Sequence, residues 1–341
     1  MDLEEVRERA REVLRGICRV CAVCNGRNCP TGVPGMGGAG TGEGFRRNID
    51  ALASWKLNLR VLHSRKVQDT GFEFFGHKLP FPILAGAIAG AKVNFGGRLE
   101  EREIARALVL GAKACGTVAL TGDGPDPEVF SAGLAAIKEA GGWGIPVIKP
   151  RANEEIIKRI REAEKVGALA IAIDVDAAGL LNMTRVGQTV EPKTVEDILE
   201  IARSTSLPLI LKGVMTVADA EAALAGGAAG IVVSNHGGRA LDHTLGTADV
   251  LPGIAAAVQG KLMVLADGGV RSGVDVLKML ALGAQAVLVG RPLLIAACGG
   301  GPDGVKAQLE SLAQELTVAM RLTGCGNLRD ISSEIITPVR S

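Results

Sequence analysis

Apolar positions along this chain follow two rhythms, and from about residue 80 onward the two alternate. Short, continuously apolar runs fall at Pro82–Ile88 (PILAGAI), Ala112–Ala119 (AKACGTVA), Ile145–Pro150 (IPVIKP) and Leu169–Asp176 (LAIAIDVD). Four more follow at Pro208–Val214 (PLILKGV), Gly230–Gly237 (GIVVSNHG), Leu262–Val270 (LMVLADGGV) and Ala286–Pro292 (AVLVGRP). Unbroken apolarity predicts strands covered on both faces, as in a parallel sheet. Between them, Glu154–Val166 and Asp275–Leu282 place apolar residues three and four apart, the helical spacing. Eight strands alternating with helices over about 240 residues predict an α/β TIM (β/α)8 barrel. An open doubly wound sheet obeys the same alternation, but the count of eight favours the barrel. The expected division is residues 1–80 as an N-terminal helical and Gly-rich extension and residues 81–341 as the barrel.

Composition narrows the class. Of 341 residues 47% are apolar and the net charge is +1, so neither disorder nor an electrostatic footprint for nucleic acid is indicated. The 46 glycines show no period of three, which removes a collagen-like chain. The first residues, MDLEEVRERAREVL, predict a charged amphipathic helix with no leader-like apolar stretch. No run of about 18 apolar residues occurs, so no membrane insertion is expected and a cytoplasmic location is.

Candidate chemistry collects where the apolar runs stop, the end at which barrel active sites lie. The fourth run ends in Asp174-Val175-Asp176, the fifth in Lys212-Gly213, and the sixth in Ser234-Asn235-His236-Gly237-Gly238-Arg239. The seventh ends in Asp267-Gly268-Gly269-Val270-Arg271 and the eighth in Gly290-Arg291. Gly268, Gly269 and Gly290 let backbone approach a ligand, and Arg271 and Arg291 match phosphate geometry in the usual phosphate loops of this fold. The plain alternative is tight turns and solvated arginines. His236 suits a general base near neutral pH, with Arg239 clamping a carboxylate and Asp176 orienting the imidazole. Its plain alternative is a histidine satisfied by its own loop. Lys212 suits either a Schiff-base lysine or a fixed positive charge beside a cofactor.

Lys212-Gly213-Val214, SNHGGRALD at 234–242, ADGGVRSGVDVLKMLALGA at 266–284 and VGRP at 289–292 resemble the FMN-dependent 2-hydroxy acid oxidase and dehydrogenase family, which includes glycolate and lactate oxidases. The resemblance runs in order over roughly residues 80–335. It implies a barrel holding FMN, with the phosphate on Gly269, Arg271, Gly290 and Arg291. Gly86, Ala87, Thr121, Ser234, Asp267 and Gly268 are implied as further cofactor contacts. It places Lys212 at the N1/O2 edge of the flavin. His236 becomes the base that removes the hydroxyl or α-carbon proton as a hydride equivalent passes to flavin, Asp176 its support and Arg239 the carboxylate anchor. The implied reaction converts an L-2-hydroxy acid to the 2-oxo acid, with electrons passing to O2 or a carrier, in a homo-tetramer or octamer. Two alternatives stand beside it: an FMN-dependent isomerase resembling type 2 isopentenyl-diphosphate isomerase, and a non-catalytic flavoprotein or redox sensor.

The chain departs from that family's pattern. It has no Tyr, whereas the family supplies two active-site tyrosines, which fall here near Gly35–Gly40 and near Ile148 or Lys149. Gly179-Leu180-Leu181-Asn182 stands where a second carboxylate-binding arginine is usual, leaving Arg185 as a substitute. Asp174 replaces a small hydroxylated residue. Substrate recognition is therefore expected to be rebuilt around an intact base and flavin site.

Cys18-x2-Cys21-x2-Cys24-x4-Cys29-Pro30 is one residue longer before its last cysteine than the bacterial ferredoxin spacing. Such thiolates can hold a [4Fe–4S] cluster or a tetrahedral Zn²⁺, or remain reduced without metal. Gly35-x-Gly37-x-x-Gly40 spells a dinucleotide fingerprint but lacks the preceding strand, and is expected as a loop over the barrel mouth. His63, His77 and His243 are read as structural or solvated, and Cys115, Cys298 and Cys325 as small buried apolar residues.

Overall fold

In a computed structural model, eight parallel strands close into a barrel whose order around the ring is their order along the chain. They are β1 (Ile83–Ile88), β2 (Ala119–Thr121), β3 (Ile145–Ile148) and β4 (Ile171–Asp174), then β5 (Leu209–Val214), β6 (Gly230–Val233), β7 (Met263–Ala266) and β8 (Ala286–Val289). The structure describes residues 1–339 apart from 181–182 and 184–186.

The unbroken apolarity of the runs has the expected cause. In β4, Ala172 points into the barrel while Ile171 and Ile173 face the surrounding helices. In β8, Ala286 and Leu288 point inward and Val287 and Val289 outward. Both faces are dry, so both must be apolar. The second run is displaced. Residues 112–114 finish the helix Glu101–Ala114, Gly116 at φ +75° turns the chain, and the strand begins only at Ala119. Gly111 belongs to that helix because its face lies against Val305, where a Cβ would come within 2.6 Å of the valine side chain. The helices Asn153–Lys165 and Gly273–Ala281 lie within two residues of their expected limits. Ser272 and Asp275 form a capping box at the start of the second.

The two ends of the barrel differ. A hairpin pairing Phe72–Phe74 with His77–Leu79 inserts the fully buried Phe74 and Leu79 among the inward-facing residues and plugs the bottom. Each such side chain contributes roughly 1.5–3 kcal/mol. The C-terminal ends of the strands are not plugged, and the active cavity opens there. The N-terminal helix Leu3–Val13, capped by Asp2, buries Val6 and Ala10 on the C-terminal helical segment. A Cβ at Gly299 would collide with the carbonyl of Val6, so glycine permits that approach. Among the described residues no helix is long and apolar enough to cross a membrane.

Candidate active site

Val33, Pro34, Gly35 and Met36 line the cavity at the barrel mouth. Helix Glu43–Ala53 carries the buried Asn48, whose Nδ2 donates to Asn235 Oδ1 at 2.7 Å and whose Oδ1 accepts from the Thr247 N–H at 3.0 Å. Asn235 Oδ1 also accepts the Gly238 N–H at 2.9 Å, which sets the loop after β6. Asp242 accepts from the Thr41 N–H and hydroxyl, and these bonds hold its carboxyl below the usual range against the opposing effect of burial. Neither asparagine carries a signal in the sequence that marks it as buried.

His236, Gly237 and Gly238 all have positive φ, at +60°, +62° and +76°. For His236 this is a strained conformation that L side chains seldom adopt. It aims the imidazole into a cavity of about 670 Å³, a size suited to a small-molecule cofactor. Its Nδ1 lies 3.0 Å from Asp176 Oδ1 and 3.5 Å from Asp174 Oδ1. Ser234 Oγ accepts the His236 N–H at 3.0 Å.

Below the histidine lies a buried charge cluster. Asp174 accepts from Lys212 Nζ at 3.0 Å and from Lys149 Nζ at 2.6 Å. Burial alone raises the Asp174 carboxyl, but His236, Lys149 and Lys212 outweigh it and hold the group well below its ordinary value. Burial likewise lowers Lys212, yet Asp174, Asp176 and Asp267 hold it above its usual value. Asp174, read as replacing a small hydroxylated residue, is thus matched by Lys149, which lies near where the family's second tyrosine falls.

The opposite rim is short of negative charge. Arg291 donates to the carbonyls of Met36, Gly37 and Gly237, and Arg271 to those of Cys24 and Val270. Arg239 donates to the carbonyls of Gly35 and Gly37 and to Asn94 Oδ1. None of the three has a carboxylate partner among the described residues. Burial, then the charges of Arg271 and Arg239, bring Arg291 down to about 9, and burial brings Arg239 down to about 10. Such destabilised cations are met by an anion.

Two buried polar atoms at this rim have no partner: Asp267 Oδ1 and Arg271 Nη2. Burial raises the Asp267 carboxyl despite the offset from Lys212. Gly268 and Gly269 have φ of +97° and +85°, and a Cβ on either would strike Asn48. A Cβ at Gly290 would meet nothing within 4 Å. An acceptor and a cationic donor left free, beside bare backbone, fit a ribityl-phosphate chain such as that of FMN.

The cavity brings together Gly86, Ala87, Lys212, His236 and Arg239 with Asp267, Gly268, Gly269, Arg271, Gly290 and Arg291. Asp176 stands behind His236. Thr121 and Ser234 do not line it: the Thr121 hydroxyl lies toward Gly133 and Ser234 serves the His236 backbone. Arg185 lies outside the described residues. Gly35 and Gly37 cover the mouth through their carbonyl contacts with Arg239 and Arg291, with no strand before them. Among the other histidines, His63 Nε2 lies 2.8 Å from the Arg321 carbonyl, His77 packs edge-on to Trp143, and His243 is exposed. Cys298 and Cys325 are buried and Cys115 is half-buried.

The sequence pattern of the FMN-dependent dehydrogenase family matches residues 35–193 and 181–338. The chain is 34% identical to human 2-hydroxyacid oxidase 1, covering 88% of this chain and 90% of the relative. It is 33% identical to an L-lactate oxidase of Lacticaseibacillus rhamnosus, covering 86% of each. A crystal structure of mandelate oxidase with 3,3-difluoro-2-hydroxy-3-phenylpropionic acid superposes with a TM-score of 0.79 at 33% identity, covering 96% of each chain.

Proposed function

We infer, from the premise that this chain belongs to the FMN-dependent dehydrogenase family, that it oxidises a 2-hydroxy acid to the 2-oxo acid. The observation carrying this reading is the His236–Asp176 pair, 3.0 Å apart, beside a cavity whose far rim holds three arginines without carboxylate partners. FMN would be held through its phosphate by Arg271, Arg291 and the backbone at Gly268, Gly269 and Gly290, with Asp267 accepting from its ribityl chain. Its chemistry is acceptance of two electrons from the substrate carbinol carbon.

The protein's own groups do the rest. Asp176 occupies Nδ1 of His236, which leaves Nε2 to receive the substrate proton and makes the resulting imidazolium favourable. Lys212 supplies a permanent positive charge at the floor. Arg239 anchors the substrate carboxylate, exchanging its present carbonyl partners at Gly35 and Gly37 for the ligand. Because those carbonyls belong to the covering loop, substrate entry and loop position are linked. Lys149 is paired with Asp174 at 2.6 Å, so it adds no net charge toward the substrate. An L-configured substrate, O2 or a carrier as electron acceptor, and assembly as a tetramer or octamer are parts of the same reading. The isomerase and non-catalytic alternatives are not favoured, because the relatives over nearly the full chain are named oxidases.

Anaerobic mixing of the FMN-loaded protein with glycolate, L-lactate, L-mandelate and a 2-hydroxy diacid tests the reading. Bleaching of the flavin bands by at least one of them is expected. Flavin that all four leave oxidised would overturn it.

A further inference from the structure

The segment 14–30 precedes the family match, which begins at residue 35, and it is where four of the seven cysteines sit. All four are half-buried, free thiols. The Val20 N–H donates to Cys18 Sγ at 3.3 Å, with Val20 held at φ +47°. A backbone N–H turned onto the sulfur two residues earlier is how a Cys-x-x-Cys turn supports a metal-bound thiolate. The segment is tied down from both sides: Arg7 Nη2 donates to the Cys21 carbonyl at 2.7 Å, and Arg271 Nε to that of Cys24 at 3.0 Å. Cys18 has Cys21, Cys24 and Cys29 nearby, and Cys29 has Cys21 and Cys24, so the four side chains share one neighbourhood. Arg271 and Arg291 also lie near Cys29.

The spacing Cys18-x2-Cys21-x2-Cys24-x4-Cys29-Pro30 is one residue longer before its last cysteine than the bacterial ferredoxin run, whose thiolates hold a [4Fe–4S] cluster.

We propose that Cys18, Cys21, Cys24 and Cys29 hold a [4Fe–4S] cluster against the arginine rim of the active cavity. Arg271 links the two places directly, since it lines the cavity while binding the Cys24 carbonyl. Resting on the hydroxy-acid reading, the cluster gives the two electrons of each turnover a one-electron outlet. It would hand those electrons one at a time to a soluble one-electron acceptor whose potential lies above that of the hydroxy acid couple. Two carrier molecules are reduced for each hydroxy acid oxidised, and the substrate's two hydrogens leave as protons.

The test is metal and sulfide analysis of the full chain purified without oxygen, with electron paramagnetic resonance after dithionite. About four iron and four sulfide per chain, and a reduced-cluster signal, are expected. Cys21→Ser with Cys24→Ser should lose the iron and the signal while FMN stays bound and still bleaches with substrate; Cys115→Ser should keep everything. In case the double variant fails to fold, the wild-type protein stripped of metal and rebuilt with ferrous iron and sulfide provides the same readout. Zinc in place of iron, no metal after anaerobic purification and rebuilding, or iron retained in a folded double variant would each overturn the proposal. Flavin bleaching in the cluster-free protein reports on the hydroxy-acid reading separately, so the two can fail independently.

Discussion

The two halves of the barrel mouth treat charge in opposite ways. At β2–β4 the buried ion pairs close within the protein, and among the described residues the atoms left without a partner are Asp176 Oδ2, beneath His236, and Thr121 Oγ1. Asp174 is held by Lys149 and Lys212, and Asp123 by Arg151 and Arg159 at 3.3 and 3.4 Å. At β6–β8 the charges face carbonyls or nothing: Arg239, Arg271 and Arg291 lack carboxylates, and Asp267 keeps a bare oxygen. The difference separates a wall whose charges are largely paired within the protein from a rim whose cations are completed by what they bind. Substitutions in the first half should therefore act on stability, and in the second on ligand affinity and turnover.

The largest effect expected is at the histidine. His236→Ala should keep FMN and lose on the order of 10²–10⁴-fold in the rate of flavin reduction, followed by anaerobic stopped-flow absorbance. Unchanged reduction would remove His236 as the base. In the other half, Asp174→Val strands two buried lysines and should lower unfolding free energy by about 3–5 kcal/mol in urea melts. Combining Asp174→Thr with Lys149→Met should recover much of that loss, because the two residues answer one another; additive losses would break the pairing. Arg271→Met should weaken FMN by about 10–100-fold in fluorescence titration of the apoprotein, the range for a lost charge-assisted bond, with little change in the melt. The smallest effect is in pH. Asp174 has a depressed folded-state value, so its stabilisation is complete above its ordinary 3.8 and disappears as pH falls through the lower folded value. The wild type should therefore lose stability in acid more steeply than the Asp174→Thr, Lys149→Met protein, and parallel acid limbs would contradict the assignment.

Seven of the eight strands were legible because a strand dry on both faces leaves an unbroken apolar run that needs no partner to be recognised. The second failed because Ala112 to Ala114 are equally apolar as helix, and only the contact with the C-terminal helix decides between them. The base, its aspartate and the phosphate arginines were legible for a related reason: polar residues that stop an apolar run must lie at a strand end, where the barrel collects them. Thr121 and Ser234 share that position along the chain, yet neither lines the cavity: Ser234 serves the His236 backbone and Asp267 instead.

What the sequence determined by itself is the local rhythm: eight strand-and-helix units, the polar residues that end them, and the unusual residues Asp174 and Lys149 as separate oddities. Only the tertiary structure decided that those two meet at 2.6 Å, that Asn48 reaches across to Asn235, and that Arg239 is covered by a glycine loop from the other end of the chain. The physical reason is range. Backbone preference and apolar period act over a few residues, whereas a buried ion pair or hydrogen bond exists only once barrel closure sets which strand ends stand side by side.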